Sequence, residues 1–192
     1  MSSQKVAINK IFGIGLSKTG TTSLARALRI LGYSTKDFPS LRYIPGAAFY
    51  IKPHQLEAYQ AFTDVSIIPF YKKLDQQFPN SKFIYTIRDR ESWLTSCEKY
   101  PRFQRPIYNL PLKVIKLRKS LYGTVKFNEQ KFNAAYERHH QDVLDYFAER
   151  PNDLLILNIC GGEQWEPLCS FLDVALPSEI FPFANARSNN YQ

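Results

Sequence analysis

A lysine and several hydroxyl side chains follow the first apolar run of the chain, and their types and spacing suit an anion. Residues 11–16 are apolar apart from two glycines, which predicts a short buried strand, and a helical pattern begins at Thr21. Loop amides and first-turn N–H groups have no backbone partners, so a strand, loop and helix in this order form an anion site. Lys18 adds a full positive charge. The stretch therefore predicts a phosphate cradle, whose residues are Ser17, Lys18, Thr19, Gly20, Thr21 and Thr22.

This cradle departs from the loop that binds nucleoside triphosphates in most P-loop proteins. Gly15 and Gly20 have the required spacing, but Thr21 stands where that loop carries its lysine. Asp64 or Asp89 could supply a magnesium ligand. A small-molecule kinase that uses ATP and magnesium therefore stays open as an alternative.

A second phosphate-binding group is predicted at the end of a later strand. Residues 82–87, KFIYTI, form a β-branched and aromatic run that ends at Arg88, and Ser96 follows eight residues later on the next helix. In open parallel sheets, ligands bind beyond the carboxyl ends of the strands. Arginine's planar fork suits a phosphate, and a serine hydroxyl adds a donor. Arg88 and Ser96 are therefore expected at the same edge as the first loop.

The elements that position these residues alternate between strands and helices along the chain. This alternation predicts an α/β fold with a mainly parallel sheet covered by helices on both faces, as one domain over residues 1–192. Residues 36–53 contain three prolines and little periodicity, which predicts a long loop. The aromatic residues of that loop either line an acceptor pocket or pack as a satellite core; they are Phe38, Tyr43, Phe49 and Tyr50.

Composition places the chain among soluble intracellular proteins. Apolar residues make up 44% and charged residues 22%, and neither a transmembrane run nor the apolar core of a signal peptide is found. Cys97, Cys160 and Cys169 are odd in number and lack metal-ligand spacing, which predicts buried thiols in a reducing compartment. We therefore expect a cytoplasmic protein.

The net charge of +8 is concentrated in residues 99–126, which contain eight lysines and arginines and no acid. Such a stretch attracts phosphates, sulfated nucleotides, nucleic acid or an anionic membrane, or it is a solvated basic face. A non-catalytic nucleotide-binding or nucleic-acid-binding module is therefore a second alternative. No RNA-binding or DNA-binding motif accompanies the charge, so no specific nucleic-acid partner is expected.

The string SKTGTT at residues 17–22 resembles the 5′-phosphosulfate loop of sulfotransferases that use 3′-phosphoadenosine 5′-phosphosulfate (PAPS). Arg88 with Ser96 resembles the 3′-phosphate motif of the same enzymes, and the contexts TIRDRESWLTSC, WEPLCSFLDVALP and FPFAN resemble a bacterial-type branch. The resemblance implies a P-loop fold and sulfuryl transfer from PAPS, which leaves the product PAP and needs no metal. It implies that Lys18 stabilises the leaving phosphate. Ser23 stands where many members carry a tryptophan near the adenine.

The resemblance also identifies candidates for the catalytic base. Family members place a histidine or glutamate just after the second core strand, and Asp64 stands there; the other interpretation of Asp64 is a helix N-cap. His139 lies on the apolar stripe of a long helix that resembles one bordering the family's active site, or it is a core residue. The acceptor is expected to be a hydroxyl or amine of a small molecule, glycan, lipid or peptide. The chain is short for the family, so an oligomer could complete the acceptor pocket.

Overall fold

The computed structural model describes residues 10–43 and 49–184. The strands are β1 (Ile11–Gly13), β2 (Thr35–Asp37), β3 (Leu41–Tyr43), β4 (Phe49–Ile51), β5 (Ala61–Thr63), β6 (Lys82–Thr86) and β7 (Leu154–Leu157). The helices are α1 (Thr21–Ile30), α2 (Pro53–Ala58), α3 (Tyr71–Gln77), α4 (Arg90–Glu98), α5 (Pro101–Gln104), α6 (Leu112–Tyr122), α7 (Glu129–Phe147) and α8 (Trp165–Leu172). Within these described ranges, no helix is long and apolar enough to cross a membrane.

Five strands form one sheet in the order β2-β5-β1-β6-β7, and every neighbouring pair is parallel. β1 lies at the centre, where Ile11 is in register with Ala61 of β5 and with Lys82 of β6. Parallel neighbours need crossover connections, and the intervening helices provide them. The predicted α/β fold with a parallel sheet is confirmed.

Both faces of the sheet are covered, because successive side chains of a strand point to opposite sides. Ile11 packs in a cluster with Leu24 of α1 and Leu168 of α8. Its neighbour Phe12 packs on the other face in a larger cluster, which includes Trp93 of α4. β1 is therefore buried on both faces, which explains why its sequence is a continuous apolar run.

The predicted loop over residues 36–53 is wrong in part. β3 and β4 form an antiparallel pair in which Leu41 is opposite Ile51, and both of these side chains are buried. Three residues per strand are too few to show an alternating pattern in the sequence. Phe49 packs against the core, whereas Phe38 is 45% exposed; the side chain of Tyr43 lies outside the described part.

The three cysteines are free thiols. Cys97 on α4 and Cys169 on α8 are buried, as predicted, but Cys160 is exposed. The prediction failed at Cys160 because the apolar run that contains it ends in a 3-10 turn, Ile159–Gly161, rather than continuing the strand.

Candidate functional site

Residues 14–20 join β1 to α1 and are called the phosphate loop below. The loop leaves the sheet gradually, because the N–H of Ile14 still donates to the carbonyl of Ile84 over 2.9 Å. Lys18 has a φ of 74° and Gly20 a φ of 101°, so the backbone turns sharply through the left-handed region. Gly20 precedes α1 without a side chain that could cap it, and the first turn contains no acidic residue. The first-turn N–H groups therefore present partial positive charge to a ligand.

Two buried aromatic side chains fix the middle of the phosphate loop. The indole Nε1–H of Trp93 donates to the carbonyl of Ser17 over 2.8 Å, and the N–H of Ser17 donates to the hydroxyl of Tyr122 over 3.2 Å. Both rings are almost completely buried, at 0% and 2% exposure. Sequence reasoning missed them; the available signal is that a buried indole or phenol needs a hydrogen-bond partner.

The hydroxyl of Thr19 stabilises the loop from inside. It lies 2.7 Å from the carbonyl of Leu16 and 2.7 Å from the hydroxyl of Thr86. A carbonyl can only accept, so Thr19 donates to Leu16 and accepts from Thr86. The proton of this hydroxyl is used within the loop, and the predicted role of Thr19 in phosphate binding stays a prediction. Thr21 is also buried, whereas Thr22 is half-buried at the start of α1.

Gly15 allows the loop to pass directly over β6. A Cβ atom at this position would lie 1.9 Å from the Thr86 hydroxyl oxygen and 2.7 Å from the Thr86 carbonyl oxygen. Because the backbone cannot retreat easily, Gly15→Ala should lower the free energy of unfolding by about 2–3 kcal/mol, measured by denaturant titration.

Gly32→Ala is the matched control for this substitution. Its added Cβ meets nothing within 4 Å, and its φ of 88° should by itself cost about 1–2 kcal/mol. If Gly15→Ala were no more destabilising than a surface substitution, the close approach of the loop to Thr86 would be contradicted.

Arg88 lies against the phosphate loop. Its Nε donates to the hydroxyl of Ser92 over 2.9 Å, and its Nη1 donates to the Lys18 carbonyl over 3.5 Å. Its own carbonyl accepts from the hydroxyl of Tyr136 over 2.7 Å, which fixes the backbone. The structure thus brings Arg88 to the loop, but its serine contact is Ser92, which sequence reasoning missed. Ser96 is half-buried one turn further along α4, at the i+4 spacing that puts both serines on one helix face.

Lys18 and Arg88 lie close enough together for their positive charges to influence the same side chain. The Lys18 ammonium lies 4.5 Å from the centroid of the Tyr100 ring. The positive charges of Lys18 and Arg88 both favour the thiolate of Cys97, yet burial raises the pKa of this thiol to about 12. The loop and the end of β6 therefore form one electropositive region, as expected for neighbouring carboxyl ends of parallel strands.

Asp64 follows β5 directly and has a φ of 84°. Burial raises the pKa of its carboxyl group to about 6, and the nearby Asp37 carboxylate adds to the rise; the hydrogen bond from the Val65 N–H and the charge of Arg102 oppose it. The bond from Val65 involves Oδ1 alone, and the chain forms a turn here before the 3-10 helix Ile68–Phe70, whose N-cap is Ile67, so the helix N-cap interpretation of Asp64 is wrong. A carboxylate that is ionised at neutral pH but unusually basic is suited to general base catalysis.

A cavity of about 270 Å³ opens between the phosphate loop and helices α5 and α6. Ser17 and Asp64 line it from the sheet side, and Phe38, Tyr100 and Phe103 contribute aromatic surface. Of the aromatic residues in 36–53, Phe38 therefore lines the cavity, while Phe49 is partly buried and packs against the core. The arrangement places a basic carboxylate beside a space that a small molecule could occupy.

His139 lies behind the loop. It is 8% exposed on α7, and its Nε2 is 2.7 Å from the carbonyl of Ile14. The carbonyl can only accept, so Nε2 carries the proton, and burial lowers the pKa of the ring so that it is neutral at pH 7. This contact is that of a side chain that positions the end of β1, and the catalytic assignment of His139 stays a prediction.

Ser23 is buried in α1, and its hydroxyl accepts from the N–H of Ala184 over 2.9 Å. This contact ties the segment after α8 to the helix that carries the anion site. The expected neighbourhood of Ser23 to an adenine stays a prediction.

A family model, a curated protein and solved structures are similar to this chain. The Sulfotransferase domain family matches residues 10–44 and 53–190. The curated "Ava biosynthesis cluster protein M" of Aspergillus versicolor is 25% identical over 90% of this chain and 79% of that protein. A sulfotransferase from Alicyclobacillus acidocaldarius superposes with a TM-score of 0.54 at 16% identity, covering 92% of this chain and 88% of that one.

A more distant similarity is to mouse sulfotransferase SULT7A1 complexed with PAP. Its TM-score is 0.49 at 15% identity, and the match covers 91% of this chain and 62% of that one. The family match extends over most of the present sequence, from the start of β1 to beyond α8. The chain therefore belongs to the sulfotransferase family, and the enzyme class inferred from its motifs is confirmed.

Proposed function

We propose that the chain transfers a sulfuryl group from PAPS to a hydroxyl or amine group of a small acceptor. The observation that carries this proposal is the hydrogen bond from Arg88 to the Lys18 carbonyl in the phosphate loop. The same loop contributes Ser17 to the cavity that Asp64 lines. The free thiols support a reducing compartment such as the cytoplasm as the place of reaction.

The residues of the phosphate loop fit the 5′-phosphosulfate of PAPS. The start of α1 has neither a side-chain cap nor an acidic residue in its first turn, so its amides suit an anion. Lys18 and residues 20–22 would hold this end. Ser17 contributes through its position, since its N–H already donates to Tyr122.

The 3′-phosphate would be held by Arg88 together with α4. Arg88 supplies a planar charged fork, and Ser92 and Ser96 supply hydroxyl donors from one helix face. When bound, PAPS supplies a sulfuryl group activated by its anhydride link to phosphate. The protein then has to deprotonate the acceptor and stabilise charge on the leaving side.

Asp64 performs the first of these tasks. With a pKa of about 6 it is ionised at neutral pH and yet accepts a proton more readily than an ordinary aspartate. Lys18 performs the second task, because a fixed ammonium in the loop favours the negative charge that develops on the leaving phosphate. Both groups are in place before the reaction, which limits the reorganisation that it requires.

Binding of PAP tests the donor site. Arg88→Ala should weaken PAP binding about 10–100-fold in metal-free calorimetry, because charge-assisted hydrogen bonds to the 3′-phosphate are lost. Binding of adenosine 5′-phosphate, which lacks that phosphate, should be nearly unchanged by the substitution.

Arg90→Ala is the matched control. Arg90 is two residues away on α4, and its guanidinium forms an ion pair with Glu137 at 3.2 Å. This variant should bind PAP like the wild type. Equal or tighter binding of ATP with magnesium, insensitive to Arg88→Ala, would overturn the proposal in favour of a kinase.

A further inference from the structure

Three arginines line the cavity that Asp64 borders; we call Arg102, Arg105 and Arg118 the arginine cluster. Arg102 belongs to α5, Arg105 follows it, and Arg118 lies on α6. In the described part of the chain, none of the three forms an ion pair with a carboxylate. The cluster therefore presents positive charge to the cavity.

Arg118 anchors the cluster to the protein. Its Nη1 donates to the carbonyl of Val125 over 3.2 Å, and its guanidinium lies 4.9 Å from the centroid of the Phe103 ring. Burial lowers the pKa of Arg118, and the charges of Arg102 and Arg105 lower it further. The three cations are therefore close enough to repel one another, and a bound anion would relieve this repulsion.

The remainder of the cavity wall is largely apolar. Aliphatic and aromatic side chains line this part of the cavity. They come from the residues just after β2 and just after Asp64 and from helices α5 and α6, and they include Phe38, Val65, Phe103, Leu117 and Leu121. A concave space of about 270 Å³ suits a small molecule rather than a folded macromolecule. Apolar walls with a few charged groups orient a ligand that has both kinds of surface.

We infer that the acceptor is a small amphipathic molecule that carries an anionic group for the arginine cluster and places its hydroxyl or amine at Asp64. This inference rests on the proposed sulfuryl transfer. The donor is itself an anion, so an anionic acceptor would be repelled unless the protein supplied compensating charge. The arginine cluster supplies it on the acceptor side, whereas Lys18 and Arg88 belong to the donor side.

In the transfer step, Asp64 takes the proton of the acceptor group as its oxygen or nitrogen bonds to sulfur. The electron pair of the broken sulfur–oxygen bond remains on the leaving phosphate, beside Lys18. The anionic group on the acceptor takes no part in this exchange. It fixes the orientation in which the reacting group meets Asp64.

The test compares probes that differ mainly in charge. The probes are 3-(4-hydroxyphenyl)propanoic acid, its methyl ester, and 2-(4-hydroxyphenyl)ethyl phosphate, titrated by calorimetry into PAP-saturated enzyme. At least one anionic probe should bind about tenfold more tightly than the ester. The ratio between the acid and the phosphate then distinguishes a carboxylate from a phosphate as the preferred anion.

Arg105→Gln should reduce the affinity for the anionic probe about tenfold and leave the ester unchanged. Arg105 is exposed, so the variant should fold. Lys119→Gln removes the same charge from an exposed position on α6 outside the cavity lining, and it should leave all affinities unchanged. Equal affinity for acid, phosphate and ester, an unchanged ratio in Arg105→Gln, or no binding of either anion at millimolar concentration would overturn the inference.

Failure of the proposed function would look different. PAP would then not bind in an Arg88-dependent manner, which is measured first and without any acceptor. The same probes titrated into PAP-free enzyme would still decide whether the arginine cluster selects anions. The two outcomes are therefore distinguished by separate titrations.

Discussion

Replacing Asp64 with asparagine should slow sulfuryl transfer by orders of magnitude and at the same time make the folded protein more stable at about pH 8. Asparagine tolerates the left-handed φ of 84° and keeps an oxygen that can accept from the Val65 N–H, so the local backbone is preserved. It cannot take a proton from the acceptor. Turnover should fall about 10²–10⁴-fold, measured with PAPS and an acceptor identified by the probe titrations.

The gain in stability follows from the direction of the Asp64 pKa shift. The folded state holds this proton up to about pH 6, whereas the unfolded chain releases it near the ordinary value of 3.8. Between these values the folded state binds more protons, so the free energy of unfolding of the wild type falls as pH rises. The amide of the variant carries no such charge, so Asp64→Asn should be more stable by about 1–3 kcal/mol above this window and equal to the wild type below it.

Denaturant titrations at about pH 8 and about pH 4 measure this difference in the free energy of unfolding.

In the wild type, kcat/KM should rise with pH through about 6 and then level off, because the base must be ionised. Asp37→Asn is a control that removes the neighbouring carboxylate; it should retain turnover and move the midpoint to lower pH. Retained turnover in Asp64→Asn would remove Asp64 as the base, and an unchanged free energy of unfolding at about pH 8 would contradict the raised pKa of its carboxyl group.

Replacing Lys18 with glutamine should lower kcat about 10²–10³-fold, with a smaller effect, about tenfold, on PAP affinity. The ammonium matters most when charge develops on the leaving phosphate, whereas the loop amides and Arg88 still hold the product. Glutamine is similar in length and should not disturb the loop. Single-turnover rates and PAP calorimetry on the same preparation separate the two effects.

Lys99→Gln is the matched control for this substitution. Lys99 is exposed just after α4 and does not line the cavity, so its loss removes the same charge without touching the proposed site. Its kcat should equal that of the wild type. If Lys18→Gln retained wild-type kcat, the loop would act through its amides alone and the assigned role of Lys18 would be wrong.

The local parts of the site could be predicted from the sequence. A strand, a loop and the start of α1 lie within about 20 residues, so their order alone indicates an anion site. Arg88 was also predictable, because it follows a β-branched and aromatic strand. Ligands of open parallel sheets bind beyond the carboxyl ends of the strands, which is where Arg88 lies. The choice between Ser92 and Ser96 could not be predicted, since both lie on one helix face and the bond from Arg88 to Ser92 is seen only in the folded chain.

The supports of the loop could not be predicted, because their partners are distant in sequence. The bond from Trp93 to Ser17 spans 76 residues, the bond from Ser17 to Tyr122 spans 105, and the contact of His139 with Ile14 spans 125. Local patterns of apolar and polar residues do not indicate which residues distant in sequence will be in contact. The cavity was hidden for the same reason: helices α5 and α6 are separated from Asp64 by about 40–60 residues and meet it only in the folded chain.

The central place of β1 in the sheet determines when the phosphate loop can form during folding. Its hydrogen-bonding neighbours, β5 and β6, come about 50 and 70 residues later in the chain. Thr86, whose hydroxyl donates to Thr19, is the last residue of β6. A nascent or truncated segment that ends before this strand therefore contains every residue of the phosphate loop but lacks the strands that shape it. Contacts of such separation form late and slowly, so donor binding should emerge with cooperative folding of the sheet rather than belong to a portable peptide motif.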